Sequence, residues 1–164
     1  VSDVGVTGSD SPVRSSDLFA GELYDARMEQ EGWDCPGFDD NSWKAGILSG
    51  HDPANLVAQY GEPVRPVLEL PAVGLTVSPK GETILDFGQN LAGVLRVKTS
   101  LPSGAKIVLD HFETLDQHGN YFNNIMMAEK IGRTQRDVYI SNGKASFYQP
   151  HFTYHGISKM ASSI

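Results

Sequence analysis

The sequence predicts a mostly-β chain, an antiparallel β-sandwich or jelly roll with an irregular N-terminal arm and at most one short helix. From residue 75 onward, short runs rich in β-branched and aromatic residues alternate with turns containing Gly, Pro and Asn. The runs recur about every 8–15 residues, which is the spacing of strands in an all-β domain. No long amphipathic helical pattern separates them, so strands follow strands, unlike in α/β folds.

The clearest predicted strands lie between residues 75 and 154. They cover residues 75–77, 83–87, 93–98, 105–113, 136–140 and 145–154. Between the last two, Asn142-Gly143 predicts a type I′ hairpin, because both central residues of that turn need positive φ. Residues 123–130 are the stretch whose pattern permits a short helix of about two turns.

The first part of the chain is rich in turn residues, and residues 23–29 are the stretch of it that has a strand period. Trp33, Phe38 and Trp43 fall in this irregular stretch, and large aromatic side chains in a loop usually pack onto a core. We therefore predict an N-terminal arm over 1–69 that packs on a β-sandwich module over 70–164.

Composition excludes several classes of protein. With 164 residues the chain is long enough to bury a core, and its single cysteine excludes an internal disulfide and a cysteine-rich zinc site. The net charge is −7, from 13 basic and 20 acidic residues, which argues against a nucleic-acid or anionic-membrane surface because phosphates need a basic footprint. No run of 18 apolar residues occurs, so no membrane-spanning segment is expected.

The N-terminus bears on the origin of the chain. Val1 stands where an initiator Met would be, and no basic region followed by an apolar stretch marks a signal peptide. We expect a processed or excised piece of a longer protein. Cysteine usage leaves the compartment open between a reducing cytosol and a bridge-free secreted protein, and the missing signal peptide slightly favours the cytoplasm.

Histidines provide the first candidates for chemistry. The strand period places His111 and Glu113 on one core-facing row, where they would be a general acid/base pair, two metal ligands or a hydrogen-bonded polar pair. The polar pair is the favoured interpretation, and an independent metal-dependent enzyme built on them is the least favoured function. His151 and His155 lie about 13 Å apart on one predicted strand, too far to share a metal ion. The sequence also lacks the His-x-His pair of a cupin-like site.

An oxygen-rich turn is the second candidate. Asp39, Asp40 and Asn41 carry side-chain oxygens that are suitable ligands for Ca²⁺. The alternative is that they are ordinary turn formers that cap their own backbone. Nucleophile elbows and phosphate-binding loops are absent from the sequence.

Five segments, taken in order, carry a family resemblance. They are residues 16–43, 56–65, 85–93 (LDFGQNLAG), 111–121 and 150–156 (PHFTYHG). Together they resemble the non-catalytic N-terminal β-sandwich region of bacterial α-L-rhamnosidases (glycoside hydrolase family 78). Several motifs in one order are far more specific than any one of them, and the resemblance covers about residues 16–156.

The resemblance implies a non-catalytic accessory domain. Members of the family hydrolyse terminal α-L-rhamnose by inversion, with two carboxylates on a downstream (α/α)₆ barrel that has no counterpart in this sequence. This chain alone is therefore expected to be inactive and to contain no catalytic residue. The expected partner is the remainder of a larger rhamnosidase chain, and a homodimer is a further expectation.

The alternative function is a calcium-assisted carbohydrate-binding module for rhamnose-containing glycans, since some β-modules in these enzymes are similar to calcium-dependent rhamnose-binding modules. Calcium is the one cofactor considered. The residues assigned to this function are Asp39, Asp40 and Asn41 for calcium, Trp33 and Trp43 for stacking on the sugar, and Gln89 and Asn90 for polar contacts. For Gln89 and Asn90 the competing interpretation is a turn whose polar groups are satisfied within the protein.

Overall fold

The computed structural model describes residues 5–47, 50, 52–123 and 134–163. They form two compact units. The first comprises the described residues of Val1–Ser11 and Gln30–Leu68, and the second those of Pro12–Glu29 and Glu69–Ile164. Residues Pro12–Glu29, assigned to the arm from sequence, belong to the second unit because their strands are hydrogen-bonded into its main sheet. The packing of the arm on the sandwich stays a prediction.

Short strands make up nearly all of the regular structure. They are β1 (Thr7–Gly8), β2 (Val13–Asp17), β3 (Gly21–Asp25), β4 (Lys44–Ala45), β5 (Gly74–Val77), β6 (Thr83–Gly93), β7 (Val97–Thr99), β8 (Lys106–Phe112), β9 (Arg136–Ile140), β10 (Ser146–Tyr148) and β11 (His155–Ser163). Helical structure among the described residues is limited to single 3-10 turns at Ala26–Met28 and Pro53–Asn55. None of these turns is long and apolar enough to cross a membrane. The predicted all-β fold class is confirmed.

The second unit contains the main sheet. Its seven strands run in the order β2-β3-β9-β8-β11-β6-β5. The pair β3–β9 is parallel and the other neighbours are antiparallel, so the sheet is mixed. Strands β7 and β10 form a separate two-stranded antiparallel ribbon. In the first unit, β1 and β4 pair in antiparallel fashion.

The main core lies between the seven-stranded sheet and the β7–β10 ribbon. Alternating residues of the central strands point into it, among them Leu109 of β8, Tyr139 of β9 and Met160 of β11, each 1% exposed. Tyr148 contributes from the ribbon. Each such side chain stabilises the fold by roughly 1.5–3 kcal/mol through burial alone. A smaller cluster of Ile84, Phe112 and Ala161 covers the opposite face of the sheet.

The predicted Asn142-Gly143 hairpin is wrong. Strand β9 pairs with β3 and β8, while β10 crosses to the ribbon and pairs with β7. Gly143 has a φ of +90°, but Asn142 is not among the described non-glycine residues with positive φ, so the turn is not type I′. The side chain of Asn142 instead accepts a hydrogen bond from Lys144 N at 2.9 Å. This turn redirects the chain from one layer of the sandwich to the other.

Strand β11 is absent from the predicted elements. The predicted strand 145–154 is in fact the three-residue β10, and the chain enters the main sheet again only at His155. The sequence of β11 contains one β-branched residue and several small ones, so its intrinsic propensity to form a strand is weak. Pairing with β8 on one side and β6 on the other stabilises the strand. Most of the predicted helix at 123–130 lies outside the described residues.

Candidate functional site

Three buried polar side chains meet at one end of the main sheet. His111 lies near the end of β8, Asp137 is the second residue of β9, and His155 begins β11. The three strands are neighbours, and the register places Leu109 opposite Asp137 and Met160 opposite His111. His111 and Asp137 are 0% exposed and His155 is 1% exposed. We call this group the His–Asp–His cluster.

The cluster is tightly spaced. One side-chain ligand atom from each of its residues lies within 4.8 Å of the others. The Nε2 atom of His111 lies 3.6 Å from Oδ2 of Asp137, and Nε2 of His155 lies 3.4 Å from Oδ1 of Asp137. The two imidazole rings are 4.4 Å apart between centroids. Within the described residues, this is the group of His, Cys, Asp or Glu whose atoms could together hold a metal ion.

The hydrogen bonds of His111 determine its tautomer. Its Nδ1 lies 3.0 Å from the carbonyl oxygen of Gln135, which only accepts, so Nδ1 must carry the proton. In the neutral ring Nε2 then presents a lone pair towards Asp137 Oδ2, and neither atom has a hydrogen-bond partner. Burial lowers the pKa of His111 to about 4, so the ring is neutral at physiological pH. A lone pair therefore faces a carboxylate oxygen in the core.

A second carboxylate lies beside the cluster. The backbone N–H of Glu22 donates to Asp137 Oδ1 at 2.8 Å, and the Glu22 side chain is 1% exposed. Its carboxylate accepts from the backbone of His151 at 2.9 Å and from the hydroxyl of Tyr148 at 3.3 Å. Burial, reinforced by the charges of Asp137 and Glu22, raises the pKa of Tyr148 far above its usual value. No Lys or Arg of the described residues forms an ion pair with either carboxylate.

The carbonyl that orients His111 belongs to a strained residue. Gln135 has a φ of +47° and is the sole non-glycine residue with positive φ in the part of the chain that is described. A left-handed conformation at such a residue costs of order 1–3 kcal/mol and persists where its surroundings hold it. Here the carbonyl accepts from both Nδ1 and the backbone N–H of His111.

The histidine pairs considered from the sequence are not the ones that form. Glu113 lies beyond the end of β8 and is exposed, so it does not share the buried row with His111. His151 is exposed on a bend and contacts Glu22, whereas His155 is buried, so they do not lie on one strand. Sequence reasoning missed Asp137. Its signal was a carboxylate two residues before Tyr139 on the core-facing side of a strand.

The predicted calcium ligands lie exposed in the first unit. Asp39 Oδ1 accepts from both the backbone N–H and the side-chain amide of Asn41, and Asp40 accepts from the hydroxyl of Thr7 at 2.7 Å. The bond from the backbone N–H of Asn41 to Asp39 is that of a turn that caps its own backbone, whereas the bond from Thr7 joins Asp40 to β1. Calcium binding by these residues stays a prediction.

The predicted sugar-contacting residues are divided between the two units. In the first unit, Trp33 is 63% exposed, while Trp43 packs against Phe38 and donates from its indole N–H to Gln30. In the second unit, Gln89 and Asn90 are exposed in a bulge of β6, where residues 87–90 lie opposite a single residue of β11. The amide of Asn90 donates to Glu113 at 3.3 Å.

Two clefts in the described residues have no pair of carboxylates in their lining. One cleft, of about 250 Å³, has Asp10 as its sole acidic lining residue. The other, of about 260 Å³, opens between the main sheet and the ribbon and has no acidic lining residue. By its architecture, the chain is an all-β protein of the sandwich class with a buried polar cluster.

Comparison with known protein families shows to which family this all-β sandwich protein belongs. The profile of the "Alpha-L-rhamnosidase N-terminal domain" matches residues 1–67, and that of the "Bacterial alpha-L-rhamnosidase concanavalin-like domain" matches residues 76–158. The chain belongs to the bacterial α-L-rhamnosidase family. The resemblance inferred from the sequence is confirmed.

Similar sequences and similar solved structures support the same family assignment. The chain is 40% identical over 147 residues to an α-L-rhamnosidase of Streptomyces avermitilis, a match that covers 88% of this chain and 14% of the relative. An α-L-rhamnosidase of an Alteromonas species is 32% identical, with 88% and 15% covered. The crystal structure of the Streptomyces enzyme complexed with L-rhamnose superposes with a TM-score of 0.86 at 36% identity, covering 96% of this chain and 15% of that one.

A fungal structure is equally similar. The α-L-rhamnosidase of Aspergillus terreus superposes with a TM-score of 0.88 at 32% identity, covering 99% of this chain and 18% of that one. The chain thus spans 14–18% of the length of these relatives.

Proposed function

We propose that the chain is a non-catalytic accessory β-module of a larger α-L-rhamnosidase-like glycoside hydrolase, and that it supports a catalytic domain outside these 164 residues. One observation carries the proposal: relatives match nearly nine-tenths of this chain, which amounts to only 14% of the first relative. An inverting glycosidase needs two carboxyl groups roughly 6.5–9.5 Å apart across a substrate cavity. The two clefts described above are not built in that way.

The surface of the second unit favours a supporting role. Strand β5 lies at one edge of the main sheet, and its side chains Leu75 and Val77 are both 66% exposed, next to Val73 at 70%. An exposed apolar edge strand is a site of association unless another element covers it. We infer that the remainder of the larger chain covers this edge.

A direct assay tests the absence of catalysis. The 164-residue chain is incubated with an aryl α-L-rhamnoside, and we expect no release of the phenol at any enzyme concentration. Turnover that follows the purified chain through gel filtration would contradict the accessory role. The reading frame around the codon for Ile164 gives a second test, because an in-frame catalytic region is expected and a stop codon there would contradict the proposal.

A double variant tests the proposed contact between strand β5 and the remainder of the larger chain. Leu75→Asp with Val77→Asp should barely change the stability of the 164-residue chain, because both side chains are already exposed. In the larger polypeptide the same change should release the module to limited proteolysis. Ser15→Asp, on the opposite edge strand β2, is the matched control and should leave the larger protein resistant. Equal resistance of the variant and the control would rule out this edge as the contact.

The alternative, a calcium-assisted module for rhamnose-containing glycans, is supported by the exposure of Trp33, since an open indole face is a platform for a sugar ring. Calorimetric titration of rhamnose with and without Ca²⁺ tests it. Heat that requires Ca²⁺ and is lost in Asp40→Ala and Trp33→Ala would favour binding. If millimolar rhamnose gives no heat, carbohydrate binding is excluded and the supporting role is the function that remains.

A further inference from the structure

We propose that His111, Asp137 and His155 form a binding site for one divalent transition-metal ion of the Zn²⁺ class inside the β-sandwich. The site is independent of the carbohydrate chemistry of the family, because it lies in the core and not on a surface that a glycan could reach. It would tie together β9, β8 and β11, three neighbouring strands of the main sheet.

The donor atoms are those that such an ion prefers. Two imidazoles and one carboxylate suit Zn²⁺ and its neighbours in the periodic table, whereas Ca²⁺ and Mg²⁺ take oxygen ligands. Two atoms that each lie about 2.0–2.1 Å from a tetrahedral Zn²⁺ are roughly 3.3–3.4 Å apart. His111 Nε2 lies 3.6 Å from Asp137 Oδ2 and His155 Nε2 lies 3.4 Å from Asp137 Oδ1, so the two histidines approach different oxygens of this carboxylate. One ligand atom from each of the three residues lies within 4.8 Å of the others, which small side-chain shifts would bring to coordination distance.

Unpaired polar atoms inside the cluster are a second, independent observation. His111 Nε2 and Asp137 Oδ2, which face each other, are buried and have no hydrogen-bond partner. Native proteins rarely leave such atoms unsatisfied, because each costs the hydration that it has lost. A cation between His111 Nε2 and Asp137 Oδ2 replaces the repulsion of two lone pairs with two coordinate bonds.

Neighbouring backbone groups hold the side chains of the cluster in the orientation that metal ligands need. A metal-binding histidine usually donates its other N–H to a carbonyl or carboxylate, as His111 Nδ1 does to Gln135. Asp137 is held by the backbone N–H of Glu22. The nearby carboxylate of Glu22 adds a second negative charge, and among the described residues neither Glu22 nor Asp137 forms an ion pair with Lys or Arg, which favours a dication at this place.

Metal content provides the test. The 164-residue chain is produced with a histidine-free tag, purified without chelator and dialysed, and its metals are measured by mass spectrometry. We expect about one zinc per chain, a visible ligand-field spectrum after replacement by Co²⁺, and a lower melting temperature after chelation that Zn²⁺ restores. None of these measurements depends on catalytic activity or on the proposed accessory role.

Variants locate the site. Asp137→Asn keeps the acceptor for Glu22 N–H but loses the charged ligand, so its zinc affinity should fall by more than the 10–100-fold typical of losing a supporting partner. His155→Gln should do the same. His151→Gln is the matched control, since His151 is a neighbouring but exposed histidine outside the cluster, and it should bind like the parent chain.

Three results would overturn the proposal. A parent chain that retains no metal and gains no thermal stability from Zn²⁺, Co²⁺ or Ni²⁺ would show a purely hydrogen-bonded cluster. Zinc bound as tightly by Asp137→Asn and His155→Gln as by the parent would place the ion elsewhere, as would loss of binding in His151→Gln alone. The parent-chain measurements need no substitution, so they remain decisive if a variant fails to fold.

Discussion

The backbone N–H of Glu22 donates to Asp137 Oδ1 at 2.8 Å, across the parallel pair of β3 and β9. Through this bond a residue near the start of the chain holds the carboxylate at the centre of the buried cluster. The bond adds to the backbone pairing that joins β3 to β9 in the main sheet.

Asp137→Ala should destabilise the chelator-treated chain by about 1–3 kcal/mol. The change leaves the Glu22 N–H buried without an acceptor and opens a small cavity beside two imidazoles. Urea unfolding followed by circular dichroism measures the difference. Asp137→Asn, which still accepts from Glu22, should lose clearly less, and equal losses would show that this hydrogen bond contributes nothing.

Gly21→Ala should cost at least about 3 kcal/mol. Gly21 has a φ of +92°, and an added Cβ would lie 2.2 Å from the backbone oxygen of Arg136. A left-handed alanine alone costs roughly 1–2 kcal/mol, and the clash with backbone adds to it. Gly81→Ala is the matched control, with a φ of +84° and no atom within 4 Å of the added Cβ. Similar thermal shifts in the two variants would contradict the close approach of β3 to β9.

Met160→Ala should destabilise the chain by about 2–5 kcal/mol, because Met160 is 1% exposed in the core and its removal leaves a cavity. The exposed Ser163 on the same strand provides the control, since Ser163→Ala should lie within about 0.5 kcal/mol of the parent.

Truncation after Tyr154 removes β11 and should abolish cooperative unfolding. A truncated chain with a cooperative melting transition would contradict the placement of β11 inside the sheet.

Alkaline pH should unfold the chain through Tyr148 and Tyr24. Burial raises the pKa of Tyr148, and partial burial together with the hydrogen bond to Glu29 raises that of Tyr24, far above the value of about 10 in an unfolded chain. The unfolded state therefore releases protons first, so this contribution to stability is complete below pH ~10 and is lost as the pH rises beyond it.

The measurement is tyrosinate absorbance recorded together with circular dichroism. Part of the absorbance change should appear only when the fold is lost, and Tyr148→Phe should weaken the dependence of stability on alkaline pH. Full ionisation of every tyrosine while the fold persists would contradict the burial of these rings.

The sequence alone determined the fold class, the approximate positions of the strands from β5 to β10 and the family, because these depend on local residue patterns and on motifs that remain readable along the chain. It did not reveal β11, whose small residues have weak strand propensity, or the crossing at Asn142 that separates β9 from β10.

Only the tertiary structure decided which polar residues meet. His111, Asp137 and His155 are far apart in sequence, and their strands become neighbours through the order β9-β8-β11. Sequence periodicity predicts the face of a strand on which a residue lies, but it does not predict which strands pair. For that reason the sequence predicts the pair His111 and Glu113, which the structure does not form, whereas the three-residue cluster exists only in the folded sheet.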